Sequence, residues 1–337
     1  MSPRAKRPRL PQLPQLLHTK IYKTGQTRGA DDDVIYQNRV SRTSTVLIPY
    51  DLWGNHSSPP DGDLNFEKGF IVLISPEVYF CTDDIDLELE SHGLYLGINT
   101  LVFYETRTHW NTYNPEIRGW SAAQFRQEPL GGQYVARVPA TTAAESGEKI
   151  IRGFDSRFSK GAGIRLYEYA SLEMVTNCRL QLELLYWFCF DSDKISIENG
   201  MSTDDIRLRK ECIQSECQRL DLLDENRLIE ARIINRDRLT ICPLCLERLS
   251  SRGFFSRLEQ AEGRVVPDLT VTQINLFHIK ELKYGAYNHK PYNLGWGHHH
   301  CNVVVKDSGI MQTIEWMYKV VKINIEDGYF APENSLS

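Results

Sequence analysis

Cys242-Pro243-Leu244-Cys245 and, further along, His298-His299-His300-Cys301-Asn302 are the two stretches whose reading decides the fold of this chain. Zinc takes four tetrahedral sulfur or nitrogen donors, and two donors separated by two residues can be presented by one tight turn. Cys242 and Cys245 form such a pair. The second pair is most simply His298 and Cys301, whose i, i+3 spacing puts both on one face if a helix begins there. His299 and His300 stand as alternatives to His298. The expectation is a structural Zn2+ that staples two distant segments together.

Between the two pairs lie Phe277-His278-Ile279 and Tyr292-Asn293-Leu294. The order His278-Ile279-Lys280-Glu281-Leu282, Gly285, His289, Asn293-Leu294, then His298-x-x-Cys301-Asn302 resembles the HNH motif of the ββα-metal endonucleases. That resemblance covers about residues 240–310. It implies hydrolysis of a phosphodiester, which needs a base to deprotonate water and a cation to neutralise charge building on the phosphate. A neutral imidazole with pKa roughly 6.5 suits the first task, so His278 is the candidate base. Mg2+, a hard ion that keeps several waters, suits the second. By resemblance, Asn302 supplies a metal-ligating oxygen, and Asn293 braces the loop holding His278 or joins the metal shell. His289 hydrogen-bonds DNA or the loop, and Lys306 reaches a backbone phosphate. Two positions depart from the motif. Phe277 stands where many relatives carry a metal-binding acid, and Glu281 replaces the usual proline, where it can donate the missing carboxylate.

The rest of the chain is long enough for a second domain. It has 337 residues, of which 41% are hydrophobic and 25% charged, a composition of folded soluble proteins. A formal net charge of -5 excludes a global cationic field, so any phosphate-binding surface is local. One basic run, from Arg4 to Arg28, precedes the first acid, Asp31. No secretory signal or membrane span is read, and the eight cysteines look like reduced thiols beside a metal site, which places the protein in the cytoplasm.

The pattern from about Val34 to Phe190 is mostly strand-like, with apolar runs at Phe70–Ile74, Leu94–Ile98 and Leu101–Tyr104, and an alternating strand at Ile164–Tyr169. Near Met201 the period changes. Ser202-Thr203-Asp204-Asp205 starts a helix with Ile206, Ile213, Cys217 and Leu220 on one face, and a second helix covers Asn226–Ile234. The resulting expectation is an α+β chain: a basic flexible arm (1–30), a β-rich DNA-recognition domain (31–200), a helical bridge (201–238) and a C-terminal zinc-stapled HNH domain (239–325).

A large recognition half joined to a nuclease half resembles a type II restriction endonuclease. The Leu10–Pro14, Lys20–Gly25 and Gly69–Pro76 segments, taken with the C-terminal motif, are most similar to the BstXI group. That resemblance implies double-stranded DNA as partner, a palindromic or interrupted palindromic site, a cognate DNA methyltransferase and a homodimer or larger assembly. Base-reading candidates are Arg39 and Arg42 in one loop, and Arg107 and His109 in another. Two other readings stay open. One is a modification-dependent nuclease whose aromatics, Trp53, Tyr79, Phe80, Trp110 and Trp120, enclose a flipped base. The other is a non-catalytic zinc-stapled DNA-binding protein.

Overall fold

The computed structural model describes residues 10–22, 45–56, 66–140, 148–153, 163–256, 272–283, 285–306 and 308–330. In chain order the elements begin with α1 (Gln15–Tyr22), β1 (Val46–Pro49), α2 (Trp53–His56), β2 (Phe70–Ile74), α3 (Pro76–Cys81) and α4 (Ile85–Ser91). They continue with β3 (Thr100–Tyr104), α5 (Arg107–Thr112), β4 (Tyr134–Val138), β5 (Ile150–Arg152), β6 (Ile164–Arg165) and α6 (Leu172–Trp187). Then come α7 (Ser192–Glu198), α8 (Thr203–Arg219), α9 (Glu225–Glu230), β7 (Ile274–His278), β8 (Leu294–His298), α10 (His299–Val305) and α11 (Ile310–Glu326). The fold therefore mixes helices and sheets. The chain divides into two compact units. A sheet unit comprises Gly25–Leu172 with Lys283–Tyr287, and a hairpin unit comprises Met1–Thr24, Glu173–Leu282 and Asn288–Ser337.

The sheet unit holds six strands in the order β5-β4-β3-β2-β1-β6, parallel throughout except for the antiparallel β4–β5 pair. Parallel strands are buried on both faces, which is why β1, β2 and β3 read as unbroken apolar runs. Alternation along them sorts the side chains. Ile48, Val72, Ile74 and Val102 enter one hydrophobic cluster, and Leu47, Ile71, Leu73 and Leu101 enter the other. The mostly strand-like expectation needs correction here, because helices α2 to α5 interleave with the strands and α6 follows them. Ser75 before Pro76, and Thr106 before Arg107, cap helices by accepting from the Val78 and His109 amides. Leu94–Ile98 is not a strand either. The Asn99 side chain accepts from Tyr95 N at 2.8 Å and donates to Gly93 O at 3.0 Å, holding that stretch as a turn. The alternating run at Ile164 pairs only through Arg165 and then tightens into a 3-10 turn, Leu166–Glu168.

The hairpin unit is built around one cluster shared by α1, α6, α8, α9, β7, β8 and α10. Ser202 caps α8 through Asp205 N, and Ile206, Ile213 and Cys217 are buried as the periodicity predicts, with Leu220 packed at the cluster's edge. The second helix is shorter than expected, ending at Glu230, with Asp224 as its cap. Within the expected arm, residues 15–22 are a helix, because Leu13, Leu17 and Ile21 recur at helical spacing and are all buried in this core. Lys20 joins them there, donating to Ile274 O at 2.6 Å and to Asn275 Oδ1 at 3.3 Å. Residues 1–9 and 23–30 of that arm lie outside the described residues.

A buried ion pair ties two of these helices together. Arg209 on α8 meets Glu183 on α6 through Nε at 2.5 Å and Nη2 at 3.0 Å, and donates a further hydrogen bond to Pro11 O. Trp187 Nε1 donates to the same carboxylate at 3.3 Å. Removing one partner of such a pair strands a charge, whereas removing both costs far less. Arg209→Leu is therefore expected to lower unfolding free energy by about 3–5 kcal/mol. Adding Glu183→Gln should recover most of that loss in urea titrations. A single variant as stable as the parent would show that the pair is not buried.

Candidate functional site

The knuckle is a turn held by its own backbone. Leu246 N donates to Cys242 O at 2.9 Å, and Cys242 N to Glu247 O at 2.9 Å, with Leu246 at φ 63°. Arg232 clamps the turn from behind, donating to Pro243 O at 2.8 Å and to Leu244 O at 3.4 Å. Opposite it, β8 ends at His298, which is also the N-cap position of α10, so His298 and Cys301 face the same way. The donor atoms of Cys242, Cys245, His298 and Cys301 all lie within 4.8 Å of one another. Cys245 Sγ and His298 Nδ1 are 3.4 Å apart. Of the three neighbouring histidines, His298 is the one in this cluster. His299 Nδ1 is engaged with Asn275 Nδ2 at 2.9 Å, and the His300 ring stacks on His298 at 5.3 Å. Burial first, and then the adjacent Cys242 and Cys245 sulfurs, holds the Cys301 thiol well above the usual range. Three sulfurs and an imidazole at this separation are a donor set that fits one tetrahedral zinc ion.

Leading into the cluster, β7 and β8 pair antiparallel, with Ile274 opposite His298 and His278 opposite Leu294. The metal-type cluster thus lies at the open end of the hairpin and His278 at the loop end. Asn293 closes that loop. Its Oδ1 accepts from Lys280 N at 2.8 Å, while its Nδ2 donates to Lys280 O at 3.2 Å and Asn288 O at 2.6 Å. Ile279 N donates to Asn293 O at 3.0 Å. These bonds place Asn293 as a brace behind the histidine. His278 is half-buried, and its Nε2 lies 3.3 Å from Nδ1 of His289, which is 1% exposed. That contact between two imidazoles carries no signal in the linear sequence.

Phe277 is fully buried and its ring lies on Gly297, where a Cβ would come within 2.4 Å of it. Glu281 is half-buried, and its carbonyl accepts from Asn288 Nδ2 at 2.6 Å. Asn302 is half-buried on α10, one residue past the cluster, and its carbonyl accepts from the amide of exposed Lys306 at 2.9 Å. Sequence reasoning missed Tyr292, which anchors the loop to the helices. Its amide donates to Gln181 Oε1 at 2.7 Å, its hydroxyl to Asp221 O at 2.7 Å, and Arg227 lies 3.9 Å over its ring.

In the sheet unit, Arg39 and Arg42 lie outside the described residues. The expected loop around Arg107 and His109 is helix α5, capped by Thr106. Arg107 Nη2 donates to the Pro139 and Glu148 carbonyls, which ties down its guanidinium. His109 instead lines a cavity of about 370 Å3 at the ends of β1, β2 and β3, together with Glu105, whose carboxyl is raised by burial. The aromatics considered for a flipped base largely pack on other rings. Phe80 stacks on Tyr113 at 5.3 Å and Trp120 meets Tyr79 at 5.4 Å, while Trp110 is 6% exposed and Trp53 packs on Phe70.

A protein-family model described as BstXI restriction endonuclease matches residues 19–299. No curated protein and no solved structure matches the chain.

Two substitutions probe this geometry. Cys242→Ser should abolish retention of one metal ion per chain and lower the thermal midpoint by roughly 5–10 °C. An equally stable variant with full metal content would exclude the knuckle as a structural metal site. Asn293→Ala leaves Lys280 N and two carbonyls short of a partner, at a cost of about 2–3 kcal/mol. It should loosen amide exchange at Ile279 and Lys280 while metal content stays intact; unchanged exchange there would contradict the bracing role.

Proposed function

Because the chain belongs to the BstXI restriction endonuclease family, which cleaves double-stranded DNA, we propose that it cuts by an HNH mechanism centred on His278. The observation that carries this reading is the succession of an antiparallel pair, β7–β8, and a helix, α10, with His278 at the loop end and a Cys3His cluster at the other. Zn2+ held by Cys242, Cys245, His298 and Cys301 is structural, because all four positions are occupied by protein and none is left for substrate.

The steps assigned to this chain's residues are few. His278 accepts the proton of the attacking water on its imidazole. His289, 3.3 Å away, orients that ring, and Asn293 fixes the backbone on which it stands. Asn302 and Glu281 are the oxygen-bearing side chains proposed to hold Mg2+. When bound, the ion supplies positive charge for the phosphate and leaving oxygen. Lys306, exposed at the end of α10, is proposed to touch a neighbouring phosphate.

Contacts to phosphates position a protein without reading sequence, so specificity requires base-edge contacts elsewhere. The sheet unit is proposed to supply them, with Arg39, Arg42 and His109 as the retained candidates. Arg107 is less suited, since its guanidinium is bonded to backbone carbonyls. The site is proposed to be palindromic or interrupted, with a methyltransferase protecting the same sequence in the host.

Digestion of unmodified phage DNA with Mg2+ tests the mechanism. Wild-type protein should give discrete bands and EDTA should stop the reaction. His278→Ala should slow cutting about 10²- to 10⁴-fold, the usual contribution of a general base, with zinc content and thermal midpoint unchanged. Cutting by His278→Ala at the parental rate would move the catalytic centre away from the hairpin.

A further inference from the structure

The cavity bordered by His109 lies where β1, β2 and β3 end, the edge of an open parallel sheet at which ligands are commonly met. Leu73, Phe103 and the ring of Tyr50 line it, and Asp51 and Glu105 stand exposed beside them. At about 370 Å3 it sits at the small end of the roughly 300–1,000 Å3 usual for ligand pockets, which suits one ring system. Apolar walls that include two aromatic rings favour a flat occupant.

The polar groups of the lining differ in what they already hold. The Tyr50 hydroxyl donates to Glu88 Oε1 at 2.5 Å, and Ser75 Oγ accepts from Val78 N at 3.2 Å. The Asp51 and Glu105 carboxylates have no hydrogen bond to another described residue. Partial burial raises the Glu105 carboxyl, and the neighbouring His109 imidazole opposes that rise. Among the described residues of the lining there is no Lys or Arg. The cavity therefore offers acceptors and no cation, which disfavours a phosphate and selects an occupant whose edge donates hydrogen bonds.

We propose that this cavity takes a single nucleobase carrying an exocyclic amine, cytosine or adenine, with Glu105 accepting from that amine. Carboxylates recognise the cytosine N4 amine in this way. Proteins that extrude a base from a duplex hold it by its pairing edge between apolar or aromatic walls. Uracil and thymine set a carbonyl where the amine stands, so against Glu105 they bring acceptor to acceptor. The sugar and phosphates stay outside the lining. The choice of a nucleobase among flat donors rests on the reading that the sheet unit meets DNA; the acceptor-lined cavity does not depend on it. The base can come from an opened duplex or from a free nucleoside, and the same edge serves both.

The test is calorimetric titration of the full-length, zinc-loaded protein with cytidine, adenosine, uridine and thymidine. Cytidine or adenosine should bind about tenfold or more tightly than uridine and thymidine. Glu105→Ala should remove about tenfold or more of that affinity, and Glu105→Gln, whose amide also donates, should erase the preference over uridine. If a variant misfolds, the wild-type preference among the nucleosides decides. A second arm separates the sources, using chloroacetaldehyde, which modifies cytosine and adenine only when they are unpaired, on phage DNA bound in Ca2+. Reactive bases at discrete positions with wild type, and none with Glu105→Ala, assign the cavity to a base extruded from the duplex. Nucleoside binding without them supports the cavity as a site for free nucleosides. Equal affinity for all the nucleosides, or a folded Glu105→Ala protein that binds like the parent, overturns the proposal. DNA cutting with neither nucleoside binding nor reactive bases overturns it too, and leaves the nuclease reading in place.

Discussion

Two strands alone do not make a stable sheet in water, and β7 and β8 pair only with each other among the described residues. Everything around them can be understood as meeting that constraint. At the open end, Lys20 from α1 occupies the Ile274 carbonyl, and His298 passes straight from strand into the Cys3His cluster. In the middle, Trp296 donates from Nε1 to Leu182 O of α6 at 2.8 Å and packs edge-on against Phe254 at 4.9 Å. At the loop end, Asn293 and Tyr292 bind the connection to itself and to the helices. Clamped at three levels, the hairpin can hold an imidazole at its tip in one orientation. A metal bound at the knuckle then contributes to folding directly, because the segments it joins are distant in sequence and the strand between them cannot stand alone.

This arrangement explains why the Cys3His cluster was more legible than the sheet. Cysteine and histidine at two-residue separations carry a geometric instruction that survives without context, and His298 and Cys301 come together as the spacing requires. Ser202 announced its helix for the same local reason. The sheet gave less away. Its strands were visible as apolar runs, but parallel pairing depends on partners far along the chain, and helices between those strands are short and weakly periodic. Leu94–Ile98 has a strand's composition, yet one asparagine amide, Asn99, decides its path. The α1 helix escaped notice because basic residues flank it, while its burial depends on a core assembled from the other end of the chain.

On the proposed reading, the division of chemistry between the two units follows from what each kind of element offers. A clamped hairpin is rigid but small, and can present one base and a few oxygen atoms. The sheet unit offers parallel strand ends and short capped helices, where His109 and Glu105 border a cavity. Ligands of open parallel sheets are commonly met at the carboxyl ends of the strands. On the proposed reading, cleavage and recognition use different architectures because phosphates repeat uniformly along DNA while base edges do not.

On the proposed HNH reading, the presence of phenylalanine rather than an acid before His278 has a structural reason. Phe277 fills the core against Gly297, a position too close to carry even a methyl group, so an acid there would bring a charge into an apolar contact. On the proposed HNH reading, the hairpin's packing takes up the position that the resembled motif gives to a metal-binding acid. Asn302 and Glu281 remain, and at most one of them is charged. So few protein oxygens would hold a hard divalent ion only weakly, and phosphate oxygens of the DNA would supply the remaining contacts. On the proposed mechanism, Mg2+ is therefore recruited chiefly by the bound DNA. On that mechanism the cation site is completed only where the substrate lies, so the loop end carrying His278 must be ordered beforehand, as the bonds of Asn293 and Tyr292 order it.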